Sequence, residues 1–185
     1  STARSRLLWG KFELLMALGS EDAEACCRQA MALYRERSNR RMEGRALGGV
    51  ALLFRDQGKT EEGIEYFEKA MEFAEELNDQ LGLANGLVGI GNLYYHQGRM
   101  DEALEHYERA LGIYQELGNR QQEGLMVGNI GNVYSRTGRL EEAQDHYFRA
   151  LSIHREVRHR RNEGLVLGSI GLLYSERGRM DEASA

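Results

Sequence analysis

Few side chains in this chain could do chemistry: five histidines, two adjacent cysteines and one glycine-rich stretch. Catalysis and metal binding both need such groups to converge on one point. His96, His106, His146, His154 and His159 are spread along the sequence. His106 and His146 fall 40 residues apart, but no third ligand accompanies them. The stretch "GLVGIGNLYY" superficially resembles a dinucleotide fingerprint, which needs G-x-G-x-x-G after a strand. Gly89 and Gly91 belong instead to columns that recur along a helix. Cys26 and Cys27 are neighbours, and neighbours on a helix point in different directions and do not readily pair. Cys27 falls in the column of Phe67, Tyr107 and Tyr147, so it is expected to be a small buried residue. No catalytic set, metal site or cofactor is expected, and the chain is expected not to be an enzyme.

The elements that hold these residues are set by a repeat. Gly58, Gly98, Gly138 and Gly178 fall 40 residues apart, as do Phe54, Tyr94, Tyr134 and Tyr174, and Ala30, Ala70, Ala110 and Ala150. A fixed period of this length marks a stacked-repeat architecture. Within one period, Leu87, Ile90, Gly91 and Tyr94 stand at i, i+3, i+4 and i+7, one face of a helix. Gly98 suits a left-handed C-cap. Asp101 and Glu102 then open a second helix, where acids complement the N-terminal dipole. Ala103, Leu104, Tyr107, Ala110, Leu111, Ile113 and Leu117 give that helix its apolar face. Large residues alternate with very small ones, so helices can approach closely around each aromatic ring. Burying one such ring contributes about 1.5–3 kcal/mol.

Composition agrees. The apolar share is 42%, enough for a continuous core, and proline, which breaks helix interiors, is absent. The charged share of 29% has both signs interleaved, as on solvated helix faces. Net charge is -5, against a general nucleic-acid binder. No apolar run approaches the roughly 20 residues of a membrane span, and no signal peptide is visible. A reducing, cytoplasmic setting is expected from the cysteines.

The segments "GLVGIGNLYYHQGRMDEALEHYERAL", "GNIGNVYSRTGRLEEAQDHYFRAL" and "GSIGLLYSERGRMDEA" resemble the tetratricopeptide repeat. The usual period of that family is 34 residues. The period of 40 and the lack of proline are similar to the longer subtype of kinesin light chains, Pins-type polarity adaptors and bacterial signalling proteins. The resemblance implies an all-α fold, a right-handed superhelical solenoid of antiparallel helix pairs. It implies one array over 1–185, with a degenerate first repeat or cap at 3–40, full repeats at 41–80, 81–120 and 121–160, and a truncated last repeat at 161–185. In the first unit the turn glycine is displaced to Gly19, and Lys11 stands in the column of Gly91 and Gly131. Helices are predicted over 41–57, 60–77, 81–97, 100–117, 121–137, 140–157 and 161–177, with two more before residue 40.

The family fold implies a concave groove lined by first helices, and so a module that binds a protein or peptide segment. The groove candidates lie off the core stripe: Arg45, Arg55, Asn85, Asn92, Tyr95, His96, Asn129, Asn132 and Arg136. Asn129 and Asn132 match the family's "NxGN" motif and Asn92 its second asparagine; an amide can donate and accept at once, which suits a peptide backbone. Glycine in several groove columns, Gly48, Gly49, Gly89, Gly128 and Gly168, would leave room for that backbone. Arginines and His96 outnumber Asp56 and Glu176 on this face, which slightly favours an acidic segment, in trans or elsewhere in the same polypeptide. The alternative reading is a helical-repeat RNA binder, supported by Tyr95 and by basic junctions at Arg35, Arg37, Arg40, Arg41 and Arg45, and at Arg155, Arg158, Arg160 and Arg161. Favourable placement near helix C-termini accounts for those arginines better than contact with a phosphate or an acidic partner. The chain is expected to be a piece of a longer protein. Ile170, Leu173 and Tyr174 are expected to lack cover, and the piece to self-associate through this end.

Overall fold

A computed structural model of the chain describes residues 7, 10, 11, 22–36 and 39–184. The described residues form eight helices and no strand: α1 Asp22–Glu36, α2 Arg40–Asp56, α3 Thr60–Glu76, α4 Gln80–Gln97, α5 Met100–Glu116, α6 Arg120–Arg136, α7 Leu140–Glu156 and α8 Arg160–Ser184. The fold is all-α, and the predicted boundaries from 41 to 157 are met within one residue. Of the two helices expected before residue 40, α1 is one. Most of the segment expected to form the other lies outside the described residues, as do Gly19 and the side chain of Cys27.

The same joint recurs at each turn. Gly58, Gly98 and Gly138 have φ of +73°, +81° and +76°, the left-handed conformation that closes a first helix. Gly118 does this for a second helix, and Asn78 and Arg158 take the same conformation at the equivalent positions. The following helix is then capped. Asn39 and Asn119 accept from the backbone N–H of Met42 and Gln122 at 3.3 Å. Asp79 accepts from Gly82 at 3.0 Å, and His159 Nδ1 from Asn162 at 3.3 Å. Asn119 therefore begins a helix as its N-cap rather than ending the one before.

The chain divides into two compact units, Ser1–Leu93 and Tyr94–Ala185, the division falling inside α4. In the first, α1 packs on α2 and α2 on α3. Cys26, Ala30, Tyr34, Ala46, Val50 and Leu53 form a buried cluster, with the rings of Phe54 and Tyr66 stacked at 5.2 Å beside it. In the second, α5 packs on α6, α6 on α7 and α7 on α8. Its core holds Val127, Leu140, Ala143, Tyr147, Ala150, Leu151, Ile153, Val166, Ile170 and Leu173. The columns read as core are buried at Leu47, Leu87 and Val127 and at Val50, Ile90 and Ile130.

The last repeat departs from the expectation. α8 runs through Gly178, where the earlier repeats turn. Tyr174 is exposed, as expected, and so are Leu172 and Leu167, the last in the column that is core at Leu47, Leu87 and Val127, but Ile170 and Leu173 are buried, at 7% and 2% exposure, against α7. Those two were assigned wrongly to the open face.

Among the described residues, one histidine is buried. His154 shares a column with Tyr34 and Tyr114 and is 1% exposed. Its Nδ1 has no hydrogen-bond partner. Burial, assisted by the His159 ring 6.0 Å away, holds its pKa below the ordinary histidine value. A depressed histidine pKa means that the unfolded chain takes the proton more readily. The stability it carries is complete above the unfolded pKa of about 6.5 and is lost as pH falls from there toward the folded value. The urea midpoint is expected to drop between pH 7 and pH 5, and His154→Leu to remove that part of the drop. An identical pH profile for the two proteins would show that another group governs it.

Candidate functional site

A cleft of about 470 Å³ opens in the first unit, with α2 and α4 as walls and α3 as floor. Phe67, Ala70, Phe73, Ala74 and Leu77 make an apolar floor, with Leu52 and Val88 beside it. Arg40, Arg41, Arg45, Asn85 and Asn92 supply polar groups at its sides. This size and lining, mostly apolar with a few placed polar groups, is that of a ligand site.

The glycines of the cleft do two different jobs. A Cβ at Gly48 would meet nothing within 4 Å, so the wall there is open. At Gly86 it would collide with Met71, and at Gly89 with the ring of Phe67. Gly89 therefore lets α4 close on α3. It does not leave room for a ligand backbone, as the sequence had suggested; Phe67 already occupies that space.

The structure brings Arg45, Asn85 and Asn92 together in this cleft and places the other candidates elsewhere. Arg55 is bound to its neighbour Asp56 at 2.8 Å. In the second unit, Arg136 Nη1 donates to the backbone carbonyl of Tyr95 at 3.3 Å, and its guanidinium lies 5.0 Å from the centre of the Tyr95 ring. His96 stands edge-on to that ring at 5.8 Å. Asn129 is half-buried on α6. Asn132 Oδ1 accepts from the Tyr147 hydroxyl at 2.8 Å, so this asparagine also ties α6 to α7. Replacing it would disturb packing as well as any ligand contact.

At both basic junctions several of the arginines pair with acids; Arg37 lies outside the described residues. Glu43 is 2% exposed and is held by Arg35 at 2.8 Å and Arg40 at 3.8 Å. Arg40 also reaches Glu76 at 2.7 Å, and Arg41 reaches Asp79 at 3.1 Å. Glu123, 5% exposed, is met by Arg120 at 2.6 Å, Arg149 at 3.6 Å and the Gln115 amide at 3.3 Å. Glu163 is met by Arg155 and Arg160, both at 3.1 Å, and these hydrogen bonds hold its carboxyl below the usual carboxylate range. The signal was in the sequence: an acid with arginine three residues before it and arginine or glutamine eight before. Where the acid is replaced by Leu83, those positions are Gln80 and Glu75.

The histidines are also structural. Nδ1 of His106 and of His146 donates to the carbonyl of Glu102 and Glu142, each at 2.8 Å. Their rings pack on Tyr94 and Tyr134 at 5.3 and 4.9 Å. Among the described residues, no group of three His, Cys, Asp or Glu could hold a metal, and no helix is long and apolar enough to cross a membrane.

Comparison with known proteins agrees with this architecture. The family pattern described as tetratricopeptide repeat matches residues 13–76, 42–116, 82–127 and 121–185. No curated protein sequence matches the chain. Among solved structures, aspartyl phosphate phosphatase F from Bacillus subtilis superposes with a TM-score of 0.84 at 17% identity, over 94% of this chain and 45% of that one. This chain thus spans less than half the length of that relative. A Rap protein complexed with competence and sporulation factor gives a TM-score of 0.77 at 20% identity, over 83% of this chain and 43% of that one. The nearly identical TPR-like repeats of a putative kinesin light chain from Podosopora anserina give 0.75 at 15% identity, over 100% of this chain and 92% of that one. At these identities the likeness is one of fold.

Proposed function

The chain belongs to the tetratricopeptide repeat family, whose members are in general non-enzymatic protein-interaction scaffolds, and from that premise we propose that it holds a peptide segment of a partner in the cleft between α2 and α4. The observation that carries this reading is the coexistence, in one cleft, of an apolar floor with Asn85 and Asn92 on the α4 wall. The floor supplies burial and the amides suit a peptide backbone. A relative in fold binds competence and sporulation factor, which agrees with the general idea. Three arginines line the cleft against Asp79 alone, but Arg40 and Arg41 already serve Glu76 and Asp79, so the preference for an acidic segment is slight. The ligand is supplied in trans or by another part of the same polypeptide, in a cytoplasmic setting.

Gly48 gives a clean test. Its wall is open, a Cβ there meeting nothing within 4 Å, so Gly48→Trp is expected to carry a large ring into the cleft. Peptides selected from a displayed library on the parent chain are expected to lose at least tenfold in affinity for the variant, with an unchanged melting curve. Undiminished binding to a folded Gly48→Trp chain would remove the cleft from the function.

A further inference from the structure

One repeat position differs from its counterparts, and the cleft lies at that position. Counting by 40 residues, the column runs Tyr34, Ala74, Tyr114 and His154. The three rings are buried, each 2% exposed or less. In the second unit the His154 ring lies against Gly124 of α6. A Cβ on that glycine would stand 2.7 Å from Cε1 and 3.0 Å from Nδ1. The equivalent pair in the first unit is Gly44 and Ala74. There the atoms nearest a Cβ on Gly44 belong to Phe73 and Ala70. Alanine carries no ring, and both Gly44 and Ala74 line the cleft. Ala74 is 6% exposed and packs on Gly82, and the small side chain lines the cleft where other repeats place an aromatic ring of their own.

We infer that the cleft is a socket for one aromatic side chain of the bound peptide, which takes the place that Tyr114 and His154 fill in their repeats. This rests on the peptide reading above and names the residue class the peptide must carry. The surroundings suit a ring. Phe73 forms one side and carries the Arg40 guanidinium 4.1 Å above its own ring, so apolar contact and a cation lie together. Ala70 is half-buried and lines the cleft, whereas its counterparts Ala110 and Ala150 are fully buried. The volume is that of a full ligand pocket, which leaves space for the peptide backbone on either side of the ring.

The experiment uses p-cresol, the side-chain analogue of tyrosine, followed in amide nuclear magnetic resonance spectra of the chain. Saturable shifts in the millimolar range are expected at Gly44, Gly48 and Gly82. Ala74→Tyr, which restores the ring of the other repeats, is expected to weaken them at least tenfold while the chain stays folded. If Ala74→Tyr does not fold, Ala74→Leu serves as the smaller filler, with the same expectation. Library-selected peptides are expected to share an aromatic residue at one position on the parent and to bind the filled variant at least tenfold more weakly. No saturable p-cresol shift, or shifts unchanged in a folded filled variant, overturns the socket. If p-cresol fails while Gly48→Trp still abolishes peptide binding, the socket is wrong and the peptide cleft stands. If p-cresol saturates the cleft but no peptide is selected, the peptide reading fails instead.

Discussion

Gly131→Leu is expected to lower the unfolding free energy by about 1–3 kcal/mol, the usual range for overpacking a close contact. Gly131 is buried, and a Cβ there would stand 2.8 Å from two ring carbons of Tyr147 and 3.3 Å from His146 Cβ. Tyr147 is 3% exposed and its hydroxyl is held by Asn132, so the ring cannot swing aside without giving up that bond. Leucine has the better helix propensity, by about 0.5–1 kcal/mol over glycine, and the clash must outweigh this. The matched control is Gly171→Leu. It occupies the same column in α8, where a Cβ meets nothing within 4 Å. There only the propensity term remains, and no loss is expected. Urea unfolding of both variants measures the contrast. Equal effects at the two glycines would mean that close helix approach at Gly131 is unimportant.

Glu123→Ala is expected to cost about 1–3 kcal/mol. Removing one partner of a buried ion pair commonly costs about 3–5 kcal/mol. Here Arg120 and Arg149 are 42% and 49% exposed, so water can take over part of their solvation and the cost falls. The chain supplies its own repair, since the column that holds Glu43, Glu123 and Glu163 holds Leu83 in the remaining repeat, with Gln80 three residues before it. Glu123→Leu combined with Arg120→Gln should therefore return most of the loss. Its stability should also respond less to salt than that of the parent, because screening acts on the ion pairs it lacks. Chemical unfolding at low and high salt decides the matter. A double variant as unstable as Glu123→Ala would show that the leucine solution works only beside Glu75.

The turn glycines were legible because period and chemistry coincide: only a left-handed joint needs glycine at Gly58, Gly98 and Gly138. The buried column of Phe67, Tyr107 and Tyr147 was legible from the same period, whereas the aromatic column of Phe54, Tyr94 and Tyr134 is only half-buried and Tyr174 is exposed. The N-cap role of Asn119 was not legible, since an asparagine suits the end of one helix as well as the start of the next. Glu43 and Glu123 went unread because an acid in a charged helix looks solvated until its arginines are placed around it. Gly89 was taken for ligand space because the sequence does not show that the Phe67 ring lies across it. Leu173 was misassigned by assuming that α8 loses the cover its predecessors have, whereas α7 still shields one of its faces. Of the groove candidates, Arg45, Asn85 and Asn92 converge. Asn132 was read from its motif alone, and its bond to Tyr147 depends on a register between two helices that no short motif contains.

Within each unit a helix packs chiefly on the helix next to it in sequence. Contacts of this kind close short loops, so little chain entropy is lost before the first of them forms. Folding can begin at any adjoining helix pair and spread outward, at rates typical of low-contact-order helical proteins. Opening follows the same geometry in reverse. The amide hydrogens of α8 around the exposed Leu167, Leu172 and Tyr174 exchange before those of α6 and α7, which are covered on more sides.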